Sequence, residues 1–410
     1  MAYRSGRLLY WASAIEYKHR GTTKKSRLDK VLATGTQNDA APGAVAIVVD
    51  RNEVLWEGAS GKRAVGTDAA MTTDTVGAIF SMTKAVTGAA AMQLVEQGRL
   101  DLDAPAGNIC PWLNEVQVLD GFADNGEPVL RAPKSPVTLR NLLTHTSGFT
   151  YEIWNANEAR WKEKTGAPSL FTLENKSLEI PLAFDPGTRW EYGIGIDWVG
   201  KMVEAVSGMT LGEYFEQHLT GPLGMSDTAF SHSPDMLERA SAVHARLPDG
   251  SLQTMDLPPP ENPEFEMGGG GLHGTMHDYG KFIRMILNDG ELDGVRVLKP
   301  ETVATMCKNH IGDLRVTNLK TVAPPFTNDA EFFPGEPKSW GLTFQINETA
   351  ADTGRPAGTL MWAGLANSYY WIDRTNGIGG AYLSQILPFA DEKSLGLFFD
   401  IERAVYQSLD

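Results

Sequence analysis

Apolar and polar positions fall into two β-type blocks near the chain ends and a series of helical blocks between them. Near the start, PGAVAIVVDRNEVLWEGASG carries two β-rich runs, Ala44–Val49 and Val54–Glu57, joined by the polar turn Asp50–Asn52. That pattern predicts a hairpin. Near the end, NSYYWIDRTNGIGGAYLSQI repeats it with Asn376-Gly377 as the turn signal, and LFFDIERAVYQSL then reads as an amphipathic terminal helix. Helical periodicity dominates the middle, in SMTKAVTGAAAMQLVEQGRL, VTLRNLLTH, IDWVGKMVEAVSG, TLGEYFEQHLT and MHDYGKFIRMILNDG. Several of these blocks stop at a glycine, the residue that most readily takes the left-handed conformation of a helix C-terminus.

The order of blocks predicts an α/β fold. An antiparallel sheet flanked by helices is built from both chain ends, with a mainly helical domain inserted between them. The expected divisions are 1–27, 28–100, 101–330 and 331–410, the first a basic leader and the second and fourth two parts of one α/β domain. The proline-rich stretches at 256–265 and 322–340 read as long surface connections.

Charge and composition narrow the classes of function. A formal net charge of −15 over 410 residues argues against nucleic-acid binding and against adhesion to anionic membranes. The first 27 residues depart from this, with Arg4, Arg7, Lys18, Arg20, Lys24, Lys25 and Arg27 against Glu16 alone, a net +6. They lack the apolar run of a signal peptide, and no apolar run in the chain approaches the ~20 residues of a membrane span. Cys110 and Cys307 are the only cysteines. Their separation predicts two buried thiols in a reducing, cytoplasmic compartment rather than a disulfide.

Candidate chemistry begins at FSMTK, residues 80–84. If Ser81 opens the helix predicted to end at Gly98, Lys84 lies one turn on, on the same face, within reach of the serine oxygen. A serine hydroxyl becomes a good nucleophile when a base takes its proton, and a lysine can be that base if its pKa falls. The other reading is a serine N-cap, and a chain of this composition holds about one S-x-x-K pair by chance. No G-x-S-x-G elbow occurs, which weighs against an α/β-hydrolase solution.

Four further segments, in order, decide how the pair is read: VTLRNLLTHTSGF (137–149), PGTRWEYGIGIDWVGKMVE (186–204), GGGGLHGTMHDYGKF (268–282) and MWAGLANSYYWID (361–373). With Ser81-Met82-Thr83-Lys84 they resemble the serine β-lactamase-like superfamily, above all the carboxylesterases of family VIII, relatives of class C β-lactamases and DD-peptidases. The resemblance runs from about residue 42 to the C-terminus and implies the β-lactamase/transpeptidase-like fold. It implies Ser81 as nucleophile, with Lys84 and Tyr192 managing its proton, and no metal or organic cofactor. Trp362-Ala363-Gly364 stands where the family carries K-T-G, so Trp362 and Gly364 are expected at the substrate. By the same match the backbone N–H groups of Ser81 and Leu365 would form the oxyanion hole.

Two departures from the lactamase pattern favour esters over lactams. Ile194 replaces the asparagine of the Y-x-N motif, and Trp362 replaces a cationic anchor with an apolar wall. The implied activity is hydrolysis of small short-chain esters through an acyl-enzyme, with a small-molecule ester as the partner and the oligomeric state left open. The alternatives are a β-lactamase or DD-peptidase, an acyltransferase, and a non-catalytic scaffold on the same fold. Phe149, Tyr151 and Trp154 are candidates for the acyl pocket, with packing of the helical region as the other reading. His145 is expected to be structural. The literal Lys164-Thr165-Gly166 precedes the tyrosine motif and is set aside, as is the His273/His277 pair, which lacks the intervening glutamate of H-E-x-x-H. The run Gly268–Gly271 suggests close backbone approach, since no P-loop Lys-Ser/Thr follows.

Overall fold

The structure is a computed structural model describing residues 25–37, 40–257 and 263–409. Both predicted hairpins form. The first pairs β1 (Gly43–Asp50) with β2 (Val54–Gly61). Five strands then come from the C-terminal part, the last two forming the second hairpin: β3 (Lys338–Trp340), β4 (Gln345–Asn347), β5 (Leu360–Gly364), β6 (Ser368–Asp373) and β7 (Ile378–Leu383). Together they make one antiparallel sheet of order β3-β4-β5-β6-β7-β1-β2. Its seam joins the chain ends, with Val45 opposite Leu383 and Asp50 opposite Ile378.

Helices cover both faces, which explains why β6 reads as an unbroken aromatic run. Because successive side chains alternate, Tyr369 and Trp371 face one layer and Tyr370 the other. Tyr369 and Trp371 pack on Phe398 of the terminal helix α5 (Glu392–Tyr406), with ring centroids 4.9 and 5.8 Å apart. Tyr370 meets Tyr279 of α4 (Met276–Leu287) at 5.1 Å. Thus α4, although inside the span 101–330, belongs to the layer on the sheet. The first helix, α1 (residues 25–37), lies with α5 on the other face, where Trp56 of β2 donates to Asp29 at 2.8 Å. Residues 1–24 of the expected leader lie outside the described residues, and its last three residues open α1.

Between the sheet and the helical region runs α2 (Thr83–Glu96), buried at every position from Thr83 to Leu94. A helix buried all round must be enclosed, and this one packs against α3 (Gly195–Ser207), while its Gly88 faces Thr343 in the turn between β3 and β4. The left-handed Gly208 ends α3 as the sequence predicts, and Asp278 in the first turn of α4 complements that helix's dipole.

The stretch 322–340 is a correction. It contains the buried residues Thr327, Ala330, Phe332 and Phe333 and all of β3. Prolines marked its turns, but its aromatic residues pull it inward. In the other stretch, residues 258–262 lie outside the described residues and Phe265 is buried. Cys110 is buried and Cys307, expected to be buried, is half-buried; both are free thiols. No helix among the described residues is long and apolar enough to cross a membrane.

A buried ion pair ties the segment before β5 to α5: Arg355 Nε donates to Glu402 Oε1 at 2.6 Å, with both side chains fully enclosed. Arg355→Met removes one partner and strands a buried carboxylate, so chemical denaturation should show a loss of about 3–5 kcal/mol.

Candidate active site

Ser81 sits in a one-turn 3-10 segment, Phe80–Met82, that feeds into α2. Phe80 takes φ 43°, a left-handed conformation that bulky residues rarely adopt, and the surrounding packing must hold it there. The N-cap positions fall to Ile79 and Met82, and neither makes a side-chain cap bond. Ser81 is therefore no helix cap; its Oγ lies 3.1 Å from Lys84 Nζ.

Lys84 is fully buried on the first turn of α2. Its Nζ donates to Gly269 O at 2.6 Å and to Tyr151 OH at 2.8 Å. Loss of water pushes its pKa down to about 7, against the opposing pull of the Asp197 carboxylate. A neutral lysine has two N–H groups and one lone pair. With both N–H groups taken by Gly269 and Tyr151, the lone pair is left for the Ser81 proton.

Tyr192 completes the cluster. Its ring lies 4.8 Å from Lys84 Nζ, and its hydroxyl accepts from Trp362 Nε1 at 3.0 Å. Burial drives its pKa well up, while hydrogen bonds with Ser81 and Trp362 oppose this. The phenol therefore keeps its proton at neutral pH and can donate it. The strip bearing Tyr192 is pinned by the turn at His145: Glu191 N–H donates to His145 O at 3.0 Å and Gly193 N–H to His145 Nδ1 at 3.3 Å. His145 is buried, held neutral by burial and by the Lys84 charge, and supports this strip as its sequence context suggests.

The end of β5 closes the site. A Cβ on Gly364 would stand 2.3 Å from Ile79 O, so only glycine lets the strand meet the turn that leads into Ser81. Trp362 is buried between Tyr192, Trp340 and Phe332, with ring centroids at 4.8, 4.6 and 5.9 Å. It stands behind Tyr192 and holds the hydroxyl from there.

The three pocket candidates separate. Trp154 is half-buried, edges onto Tyr192 at 5.4 Å and donates to Thr327 Oγ1 at 3.0 Å, so it walls the site. Tyr151 belongs to the Lys84 hydrogen-bond set. Phe149 stacks on Trp198 and serves the helical region. The set-aside motifs stay apart: Lys164 pairs with Glu127 at a helix end capped by Gly166, and His277 faces Glu57. No cluster of three His, Cys, Asp or Glu among the described residues is placed to hold a metal.

Sequence reasoning missed Asp197, Gly269 as the lysine's acceptor, and the Thr327–Phe332 wall. An acid in the first turn of a helix reads as a partner of the helix dipole, which hid Asp197. The double phenylalanine at 332–333 was the available sign that its stretch goes inward.

The family model described as Beta-lactamase matches residues 28–399. The chain belongs to the Beta-lactamase family. Among its relatives, lovastatin esterase from Penicillium rubens is 32% identical over 88% of this chain and 93% of that protein. Monacolin J acid methylbutanoyltransferase from Aspergillus terreus is 31% identical over 81% and 82%. A mutant of simvastatin synthase from Aspergillus terreus superposes with TM-score 0.81 at 28% identity, covering 94% of this chain and 95% of that one. Relatives of this chain thus include both an esterase and acyltransferases, and the chain is a serine-type hydrolase or acyltransferase of the β-lactamase-like superfamily.

Proposed function

We propose that this protein is a serine carboxylesterase that loads a short acyl group onto Ser81. The observation that carries this reading is the buried Lys84 amine 3.1 Å from the Ser81 hydroxyl. Ser81 Oγ attacks the ester carbonyl carbon and its proton passes to Lys84. The oxyanion is held by the backbone N–H groups of Ser81 and Leu365. As the C–O bond breaks, the leaving alkoxide takes a proton from Tyr192, which is recharged from Lys84. Water then attacks the acyl-enzyme, with Lys84 and Tyr192 again passing the proton, and the acid departs.

Tyr151, Trp154 and Trp362 surround the Tyr192 ring, and Ile194 is buried at the position of the lactamase motif's amide. Both features support a neutral ester over a β-lactam. A second reading, transfer of the acyl group to an alcohol, is supported by the methylbutanoyltransferase relative. In it an alcohol oxygen replaces water at the same acyl-enzyme, with the same proton transfers.

One experiment orders these readings. The kcat/KM for p-nitrophenyl butyrate should far exceed that for nitrocefin, and adding 1-butanol should reveal any share diverted to butyl butyrate. Dominant nitrocefin turnover would reverse the order, and butyl butyrate as the main product would make transfer the primary activity.

A further inference from the structure

Behind Lys84 lies a carboxylate to which none of the steps above gives a task. Asp197, in the first turn of α3, is 1% exposed. Its Oδ1 accepts the Gly269 N–H at 2.7 Å, and its Oδ2 is buried with no hydrogen-bond partner. The carbonyl of the same Gly269 accepts from Lys84 Nζ at 2.6 Å. One residue, Gly269, thus links the carboxylate to the amine, through its N–H on one side and its C=O on the other. A Cβ on Gly269 would fall 2.5 Å from Asp197 Oδ2, so glycine is what lets the two meet. The loop is fixed to α2 on both sides, by Thr87 Oγ1 donating to Gly268 O at 2.6 Å and Leu272 N–H donating to Thr83 Oγ1 at 3.1 Å.

A buried carboxylate with an unused lone pair is costly for structure alone. It becomes useful when a positive charge appears nearby. We propose that Asp197 is a positioning residue for Lys84: by holding the backbone at Gly269 it aims Nζ at Ser81, and its charge stabilises Nζ once the serine proton has arrived. The inference rests on the reading of Ser81 as nucleophile. The other titratable groups facing Lys84 are Tyr151 and Tyr192, both kept protonated by burial, and His145, kept neutral. Beyond Tyr151 stands Glu158, raised to about 7 by burial and balanced by Lys162.

Asp197→Asn keeps an oxygen for the Gly269 N–H and removes only the charge. Without that charge Lys84 gives up its proton at lower pH, so the acid limb of reactivity moves down by about one unit. The readout is the rate of Ser81 labelling by a fluorophosphonate, followed by intact mass from pH 5 to 9. Labelling below the limb should be about tenfold faster in the variant. Glu158→Gln, measured alongside, should leave the limb where it is. An unmoved limb in Asp197→Asn, or an equal shift in Glu158→Gln, overturns the proposal. Absence of labelling at Ser81 in the unaltered protein would instead overturn the nucleophile reading.

Discussion

Ser81→Ala is expected to lower kcat/KM on p-nitrophenyl butyrate by at least about ten-thousand-fold, leaving only what binding and the oxyanion site can supply. No neighbour can substitute, because the cluster converges on this one oxygen: Lys84 Nζ at 3.1 Å and the Tyr192 hydroxyl as its other hydrogen-bond partner. The side chain is small and caps nothing, so the melting temperature should hardly move. A large drop in stability would mean that the serine is structural.

Lys84→Met should cost about a thousand-fold or more for a different reason. The hydroxyl remains but loses its base, and methionine fills similar space without a charge. The change also leaves Gly269 O without its donor and Asp197 without its cation, so some loss of stability should accompany it, and the activities are compared at a temperature where both proteins are folded. In the unaltered enzyme, kcat/KM should climb about tenfold per pH unit and level off near pH 7, as burial-depressed Lys84 loses its proton. The sign is fixed by chemistry: only the neutral amine can accept the serine proton, so activity is lost as pH falls. Lys84→Met should flatten this limb, and a steep limb surviving in the variant would assign the titration to another group.

What the sequence revealed depended on how local the cause was. The grouping of Ser81, Lys84 and Tyr192 was legible because their spacing and order along the chain are themselves the signal. The two hairpins and α2 were legible because alternation and helical periodicity act within a few residues. Tyr151 was legible only as a candidate for the acyl pocket or for packing, because its bond to Lys84 crosses 67 positions of sequence and no pattern reports such a contact. Asp197 was invisible for the same reason: its partner, the Gly269 N–H, lies 72 residues further on. The stretch 322–340 misled because proline dominates local reading, whereas Phe332, Phe333 and Trp340 are held inside by aromatic partners from distant strands and α5. Trp362 was expected to present a wall to substrate, and it also donates to the Tyr192 hydroxyl, a contact spanning 170 positions. Local physics placed the reacting atoms, and long-range packing decided what tunes them.

Trapping the intermediate tests the account's centre. The protein is mixed with p-nitrophenyl butyrate, quenched in acid within the first turnovers, and examined by intact and peptide mass spectrometry. The account predicts one added butyryl group, confined to the peptide bearing Ser81 and absent from Ser81→Ala. A butyryl group on any other residue, or turnover undiminished in Ser81→Ala, would contradict it.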